Sequence, residues 1–182
     1  MTSILIAGIG NIFNGDDAFG VEVVRRLAGR SLPAGVKVID FGIRGIDLTY
    51  ALLDDYRAAV LVDTAQRGER PGTISVVEPE QMEAGAPSAE DLMLSPHELD
   101  PAKVLRLVTA LGGNCKRVLL VACEPLTFGG EQGVMGLSEP VAAALDAAVA
   151  TVEDLVVELT GAETAETPGI IESTAMQEGV KP

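Results

Sequence analysis

Two adjacent carboxylates lie inside a glycine-rich loop near the start of the chain. The loop covers residues 8–20 and contains Asp16 and Asp17. It follows a short apolar run and precedes an amphipathic run, so the local order predicts a strand, a loop and a helix. Loops of this kind commonly bind phosphate at the helix N-terminus. Two carboxylates would repel a phosphate, whereas a bound cation or a positively charged partner would balance them.

Further acidic side chains follow the ends of other predicted strands. They are Asp40, Asp63 and Glu124. His97, the only histidine of the chain, lies in a proline-containing loop. Two carboxylates and one imidazole from separate loops could form a three-ligand metal site with open positions. Each of these residues also has an ordinary interpretation, because either aspartate of the doublet could cap the following helix and a strand-end aspartate could belong to a turn.

The alternation of strands and helices predicts an α/β fold. The predicted strands cover residues 4–7, 36–41, 58–63, 73–77 and 118–123, and the predicted helices cover residues 18–27, 46–53, 100–111 and 138–159. The strand over 73–77 follows the preceding strand too closely for a helical crossover. We therefore expect a three-layer sandwich, with a mostly parallel central sheet, an antiparallel edge strand and helices on both faces. Ligands of such sheets bind beyond the carboxyl ends of the strands, where the acids gather.

Length and composition favour one domain. The chain has 182 residues, of which 47% are hydrophobic, and this is enough to bury one core. We predict a single α/β domain over residues 1–160. Residues 161–182 are acidic and lack a hydrophobic period, which predicts a disordered tail. Cys115 and Cys123 do not form a Cys-x-x-Cys pair, so we expect buried free thiols.

The charge of the chain restricts its partners. A net charge of -14 predicts that neither nucleic acid nor an anionic membrane is a partner, because both attract basic surfaces. No apolar run reaches the roughly 18 residues of a spanning helix, and the N-terminus lacks the basic segment of a signal peptide. These features predict a cytoplasmic protein. We expect a monomer, since no large apolar helix face is left unexplained.

A set of motifs occurs in order over roughly residues 4–159. The motifs are Gly8-x-Gly10-Asn11, Asp16-Asp17-x-x-Gly20, Asp40-x-Gly42-x-x-Gly45, a strand ending in Asp63, Ser95-Pro96-His97 and Glu124-Pro125. Together they resemble the hydrogenase maturation endopeptidases, and as a set they are specific. The resemblance implies an endopeptidase that removes the C-terminal extension from the large-subunit precursor of a nickel–iron hydrogenase after nickel insertion.

The resemblance also implies roles for individual residues. Asp17, Asp63 and His97 would form the catalytic and metal-binding set of a metal-dependent, aspartic-type endopeptidase, with the nickel supplied by the precursor. Asp40 would contact the substrate or the metal. The remaining motif positions would support the loops; they are Gly8, Gly10, Asn11, Asp16, Gly42, Gly45 and Glu124. The nickel would polarise the scissile carbonyl or a bound water while a carboxylate takes the proton.

Three positions depart from the family's pattern. Asp17 stands where many members have Glu, so Asp16 is the alternative ligand if the loop is shifted. Ile43 and Arg44 stand where smaller residues are usual. This difference bears on the shape of the substrate groove and on the hydrogenase that is processed.

Two other functions are consistent with the same residues. A non-enzymatic nickel-sensing chaperone of the hydrogenase subunit could use the same three ligands. A dinucleotide-binding module would use Gly8, Gly10 and the acid at the end of the second strand, Asp40. In that case Phe13 replaces the third glycine of the usual fingerprint, and the aspartate doublet would repel a pyrophosphate.

Overall fold

The strands and helices alternate along the part of the chain that the structure describes. The computed structural model describes residues 3–54, 56–78, 101–113, 115 and 117–161. The strands there are β1 (Ile4–Ile9), β2 (Val36–Gly42), β3 (Ala58–Thr64), β4 (Ile74–Val77) and β5 (Arg117–Cys123). The helices are α1 (Phe19–Leu27), α2 (Gly45–Leu52), α3 (Pro101–Ala110) and α4 (Glu139–Gly161), and a 3-10 turn over Gly15–Ala18 precedes α1. The predicted elements are present, with ends that differ by one or two residues.

The strands form one mixed sheet in the order β2-β1-β3-β5-β4. All neighbouring strands are parallel except β4, which pairs antiparallel with β5. This confirms the predicted α/β fold and its antiparallel edge. β2 lies on one side of β1, and the next strand in the chain, β3, lies on the other side. The carboxyl end of β1 is therefore a topological switch point, the place where open α/β sheets bind ligands.

Helices cover both faces of the sheet, as predicted. Along β1, Ile4 and Ile6 pack with α1 and α4 on one face, whereas Leu5, Ala7 and Ile9 pack with α2 and α3 on the other. Because both faces are covered, the central strands are apolar at nearly every position. Of the helices in the described residues, not even the 23-residue α4 combines the length and hydropathy that a membrane span requires.

Glycines allow the start of α1 to lie directly on the sheet. A Cβ at Gly20, in the first turn of α1, would overlap the backbone oxygens of Val62 and Ile9. A Cβ at Gly10 would overlap the backbone oxygen of Asp17, and Gly10 has a φ of +134° that other residues rarely adopt. The close approach brings the 3-10 turn to the carboxyl ends of β1 and β3.

The structure corrects two details of the sequence interpretation. Neither Asp16 nor Asp17 caps α1: the N-cap is Ala18 without a side-chain hydrogen bond, and both aspartates lie in the preceding 3-10 turn. The prediction of two buried thiols was wrong for Cys115, which is half-buried in the segment before β5, and right for Cys123. His97 lies outside the described residues, as do residues 162–182 of the predicted tail; Gly161, the first residue of that tail, is the last residue of α4.

We expect the Gly20→Ala substitution to destabilise the fold by about 1–3 kcal/mol or more, because the added methyl group must displace sheet backbone. The measurement is urea unfolding at neutral pH. Gly29→Ala is the matched control, since the nearest atom to a Cβ there is the Arg26 oxygen at 3.8 Å. Equal stability of the two variants would contradict a close helix–sheet contact at Gly20.

Candidate functional site

Asp17 lies in the 3-10 turn at the switch point and is half-buried. Its Oδ2 accepts hydrogen bonds from the backbone N–H of Asn11 at 3.1 Å and from Nδ2 of Asn14 at 3.4 Å. Its Oδ1 lies 3.5 Å from the hydroxyl of Thr64. The carboxylate therefore has its two nitrogen donors on one oxygen, and its other oxygen faces the end of β3.

Asp63 lies at that end of β3 and is only 6% exposed. Its Oδ1 accepts a hydrogen bond of 2.7 Å from the backbone N–H of Thr64. Thr64 thus contacts both acids, Asp63 through its backbone and Asp17 through its hydroxyl. Through Thr64 the structure connects these two predicted site residues, one from the 3-10 turn before α1 and the other from the end of β3. The sequence interpretation did not single out Thr64.

Asp16 is fully buried and points away from this pair. Its Oδ1 accepts a bond of 2.6 Å from the backbone N–H of Ser138. Its Oδ2 accepts bonds from the N–H groups of Leu126 (2.8 Å) and Thr127 (3.0 Å) and from the Ser138 hydroxyl (2.9 Å). Asp16 has no exposed surface and four donors on its two oxygens, whereas Asp17 is half-buried, so the geometry favours Asp17 over Asp16 as the aspartate available to a cation.

The environment of Asp16 favours its charged form. Burial alone would raise the pKa of this carboxyl group, but the hydrogen bonds from Ser138, Thr127 and Leu126 together outweigh burial, and the pKa is lowered from its usual value. Burial, followed by the nearby charge of Asp16, raises the pKa of the Cys123 thiol to about 12. Cys123 therefore stays protonated at neutral pH and is unsuited as a nucleophile.

A covering segment, residues 126–138, lies over the loop that carries the aspartates. The N–H of Gly15 donates to the Val134 oxygen at 2.7 Å, and the N–H of Val134 donates to the Phe13 oxygen at 2.9 Å. The N–H of Gly129 donates to Oδ1 of Asn14 at 3.1 Å. Sequence reasoning missed this contact between two irregular loops, because neither loop has a periodic pattern.

Glu124 and Asp40 occupy the flanks of the site. Glu124 is 8% exposed, and its Oε2 accepts a bond of 2.7 Å from the Arg67 N–H. Glu124 therefore orders the loop after β3. Asp40 lies at the end of β2, with Oδ2 3.8 Å from Nε of Arg25. It lines a cleft of about 310 Å³ between the first loop and the loop after β2, together with Phe13 and Ile43 among others.

The other predicted support residues connect these two loops. The N–H of Gly10 donates to the Gly42 oxygen at 3.0 Å, and Oδ1 of Asn11 accepts from the Phe13 N–H at 3.0 Å. Gly45 is the first residue of α2. The side chain of Arg44 donates to the backbone oxygens of Asp40 and Phe41, which fixes the cleft wall. Gly8 lies in β1, where a Cβ would come within 2.5 Å of the Gly20 oxygen.

The described residues contain no group of three or more His, Cys, Asp or Glu side chains that could hold a metal ion. Asp17 and Asp63 supply two carboxylates there. The third member of the predicted set, His97, lies in the part of the chain that is not described. The arrangement in the described residues is a pair of carboxylates next to a cleft, and carboxylate oxygens are ligands that hard cations prefer.

Comparison with known proteins identifies the family. The sequence pattern of the family described as HycI, hydrogenase maturation protease, matches residues 21–155. The chain belongs to this family. A hydrogenase 2 maturation protease of Escherichia coli strain K12 is 29% identical over 147 residues, which cover 80% of this chain and 85% of that protein. The predicted resemblance is confirmed, and the family is one of peptidases.

Solved structures agree with this assignment. The hydrogenase maturating endopeptidase HybD of Escherichia coli has a TM-score of 0.65 and 25% identity, covering 86% of this chain and 93% of that chain. The solution structure of an endopeptidase from Escherichia coli has a TM-score of 0.70 and 29% identity with the same coverage. Both share the fold described above.

The stability of the protein should depend on the charge of Asp16. Because its folded pKa is below the usual value of 3.8, its charge contributes stability that is present above that value and is lost as the pH falls through the folded pKa. We expect Asp16→Asn to lower the free energy of unfolding by about 2 kcal/mol at pH 7. The difference from wild type should be constant between about pH 5 and 7 and shrink below the usual aspartate pKa.

Urea unfolding of both proteins from pH 7 down to about pH 2, below the usual aspartate pKa, measures the effect. Asp146→Asn is the control, since Asp146 is an exposed acid with 87% of its side chain accessible and an exposed ion pair contributes at most about 1 kcal/mol. A stability difference for Asp16→Asn that does not change with pH would contradict a stabilising charge at Asp16.

Proposed function

We propose that the protein is an endopeptidase that removes the C-terminal extension from the large-subunit precursor of a nickel–iron hydrogenase and recognises the nickel that the precursor carries. The observation that supports this function best is the pairing of Asp17 and Asp63 through Thr64 at the switch point. Membership of the hydrogenase maturation protease family supports the reaction and the substrate class. We also expect the protein to act in the cytoplasm as a monomer, without nucleic acid or membrane as a partner.

The two carboxylates provide the reason for nickel dependence. Without a cation, Asp17 and Asp63 are neighbouring negative charges in a partly buried site, where repulsion is stronger than in water. The nickel of the precursor balances them, with His97 as the proposed third ligand. Binding of the cation also places the cleavage site of the precursor beside the carboxylates, so positioning and charge balance occur in one step.

The proposed chemistry is hydrolysis of one peptide bond. The oxygen of a water molecule attacks the scissile carbonyl carbon, a carboxylate of the site accepts the water's proton, and that proton passes to the departing amine. The nickel of the substrate polarises the carbonyl or the water. The cleft beside Asp40 offers space for the precursor chain next to Asp17, because Asn11 both lines the cleft and donates its N–H to Asp17.

Incubation of the purified protein with nickel-loaded and nickel-free precursor tests the proposal. We expect the wild-type protein to shorten only the loaded precursor. Asp17→Ala and His97→Ala should each lower kcat/KM by about 100-fold or more, which corresponds to about 2.7 kcal/mol of transition-state stabilisation. The readout is the mass of the precursor at successive times.

The exposed acid Asp146 again provides a control, since its side chain pairs with Arg26 at the surface and contacts none of the site residues that the structure describes; Asp146→Asn should process the precursor at the wild-type rate. Cleavage of the nickel-free precursor, or an active His97→Ala variant with unchanged metal dependence, would refute nickel recognition. A protein that binds the loaded precursor without shortening it would be the nickel-sensing chaperone instead.

A further inference from the structure

The side-chain amide of Asn14 is held at both of its ends. Its Oδ1 accepts a hydrogen bond of 3.1 Å from the N–H of Gly129, in the covering segment. Its Nδ2 donates to Oδ2 of Asp17 at 3.4 Å. A backbone N–H can only donate, so the amide oxygen must face Gly129 and the NH2 group must face Asp17. The covering segment therefore determines which end of the amide meets the carboxylate.

The backbone of Asn14 is fixed as well. Its N–H donates to the Asn11 oxygen at 3.0 Å, and its own oxygen accepts from the Asp17 N–H at 3.3 Å. A parallel β-bridge joins Asn14 to Val134 of the covering segment. The backbone of Asn14 is thus held in the loop, and its side-chain oxygen is held by the Gly129 N–H. Only rotation of its terminal amide would change what Asp17 encounters.

Asp16 secures the covering segment at its two ends. The N–H groups of Leu126 and Thr127 at one end and both donors of Ser138 at the other converge on this one buried carboxylate. The segment is closed into a loop by Asp16, and Gly129 lies within that loop. The position of the Gly129 N–H consequently depends on an aspartate that has no exposed surface.

We propose that Asn14 is a positioning residue that orients the Asp17 carboxylate, and that the covering segment, anchored by Asp16, sets the direction of the Asn14 amide. The inference rests on the proposed function for its role in cleavage. Two nitrogen donors on Oδ2 and the Thr64 hydroxyl on Oδ1 fix the carboxylate plane of Asp17. The geometry prepares Oδ1, whose contact with Thr64 is the long one of 3.5 Å, for the cation of the precursor.

The Asn14→Asp substitution separates positioning from folding. The new side chain has nearly the same shape and still accepts from the Gly129 N–H, but it places an oxygen instead of an NH2 group against Asp17. We expect kcat/KM for the nickel-loaded precursor to fall by about 10- to 100-fold, the usual range for a residue that orients a metal ligand. The loss should be found mainly in KM, because the cation is engaged when the precursor binds.

Two further variants distinguish a positioning role of Asn14 from a purely structural one. Asn14→Ala removes both hydrogen bonds of the side chain and should also lose activity, whereas Asp146→Asn should leave KM and kcat unchanged. If Asn14 only stabilises the loop, activity will follow the unfolding free energy across these variants and Asn14→Asp, which keeps the Gly129 contact, will be nearly as active as wild type. That result would overturn the proposal.

A crystal structure of the Asn14→Asp variant provides a readout that does not depend on the proposed reaction. We expect the Asp17 carboxylate to rotate while the covering segment stays in place. An Asp17 carboxylate in its wild-type orientation would overturn the proposal even if the enzyme is a nickel-dependent peptidase. Conversely, a rotated carboxylate in a protein that cleaves no precursor would leave the positioning role standing and refute only the proposed function.

Discussion

The buried carboxylate of Asp16 is the interaction on which the candidate site depends. A negative charge with no exposed surface is costly unless hydrogen bonds replace its lost hydration. Here the replacement comes from three backbone N–H groups and one hydroxyl of a segment more than 100 residues away in sequence. The requirement to satisfy this one charge holds two irregular loops against each other. It gives the site a fixed wall without a regular secondary structure.

The close contact of α1 with the sheet provides the second constraint. Because Gly20 has no side chain, the first turn of the helix reaches the backbone of β1 and β3. The preceding 3-10 turn is then held at the switch point of the sheet, next to the end of β3. Asp17 could not approach Asp63 and Thr64 if a side chain at position 20 separated the helix from the sheet. Packing of the core and geometry of the site are thus set by the same contact.

The sequence predicted the secondary-structure elements, which depend on local hydrophobic periodicity, and the edge of the sheet that carries the site, which depends on the fold class. The apolar runs identified the strands, and the 3.6-residue period that repeats along α4 identified that helix. The rule that ligands bind at the carboxyl ends of parallel strands placed Asp17 and Asp63 at the same edge of the sheet. It could not predict the role of Asp16, since three of its four donors are backbone N–H groups and the fourth belongs to Ser138, 122 residues later. Backbone donors carry no residue signature. The contact of Asn14 with Gly129 was missed for the same reason.

The 3-10 turn explains how adjacent identical residues come to have different roles. Such a turn has about three residues per turn, so successive side chains point about 120° apart. Asp16 is directed inward to the donors of the covering segment, and Asp17 is directed to the half-buried space beside Asp63. The repulsion between the two acids is reduced, because the charge of Asp16 is compensated within the protein. Any need for an external cation therefore falls on Asp17 and Asp63, the two acids that Thr64 connects.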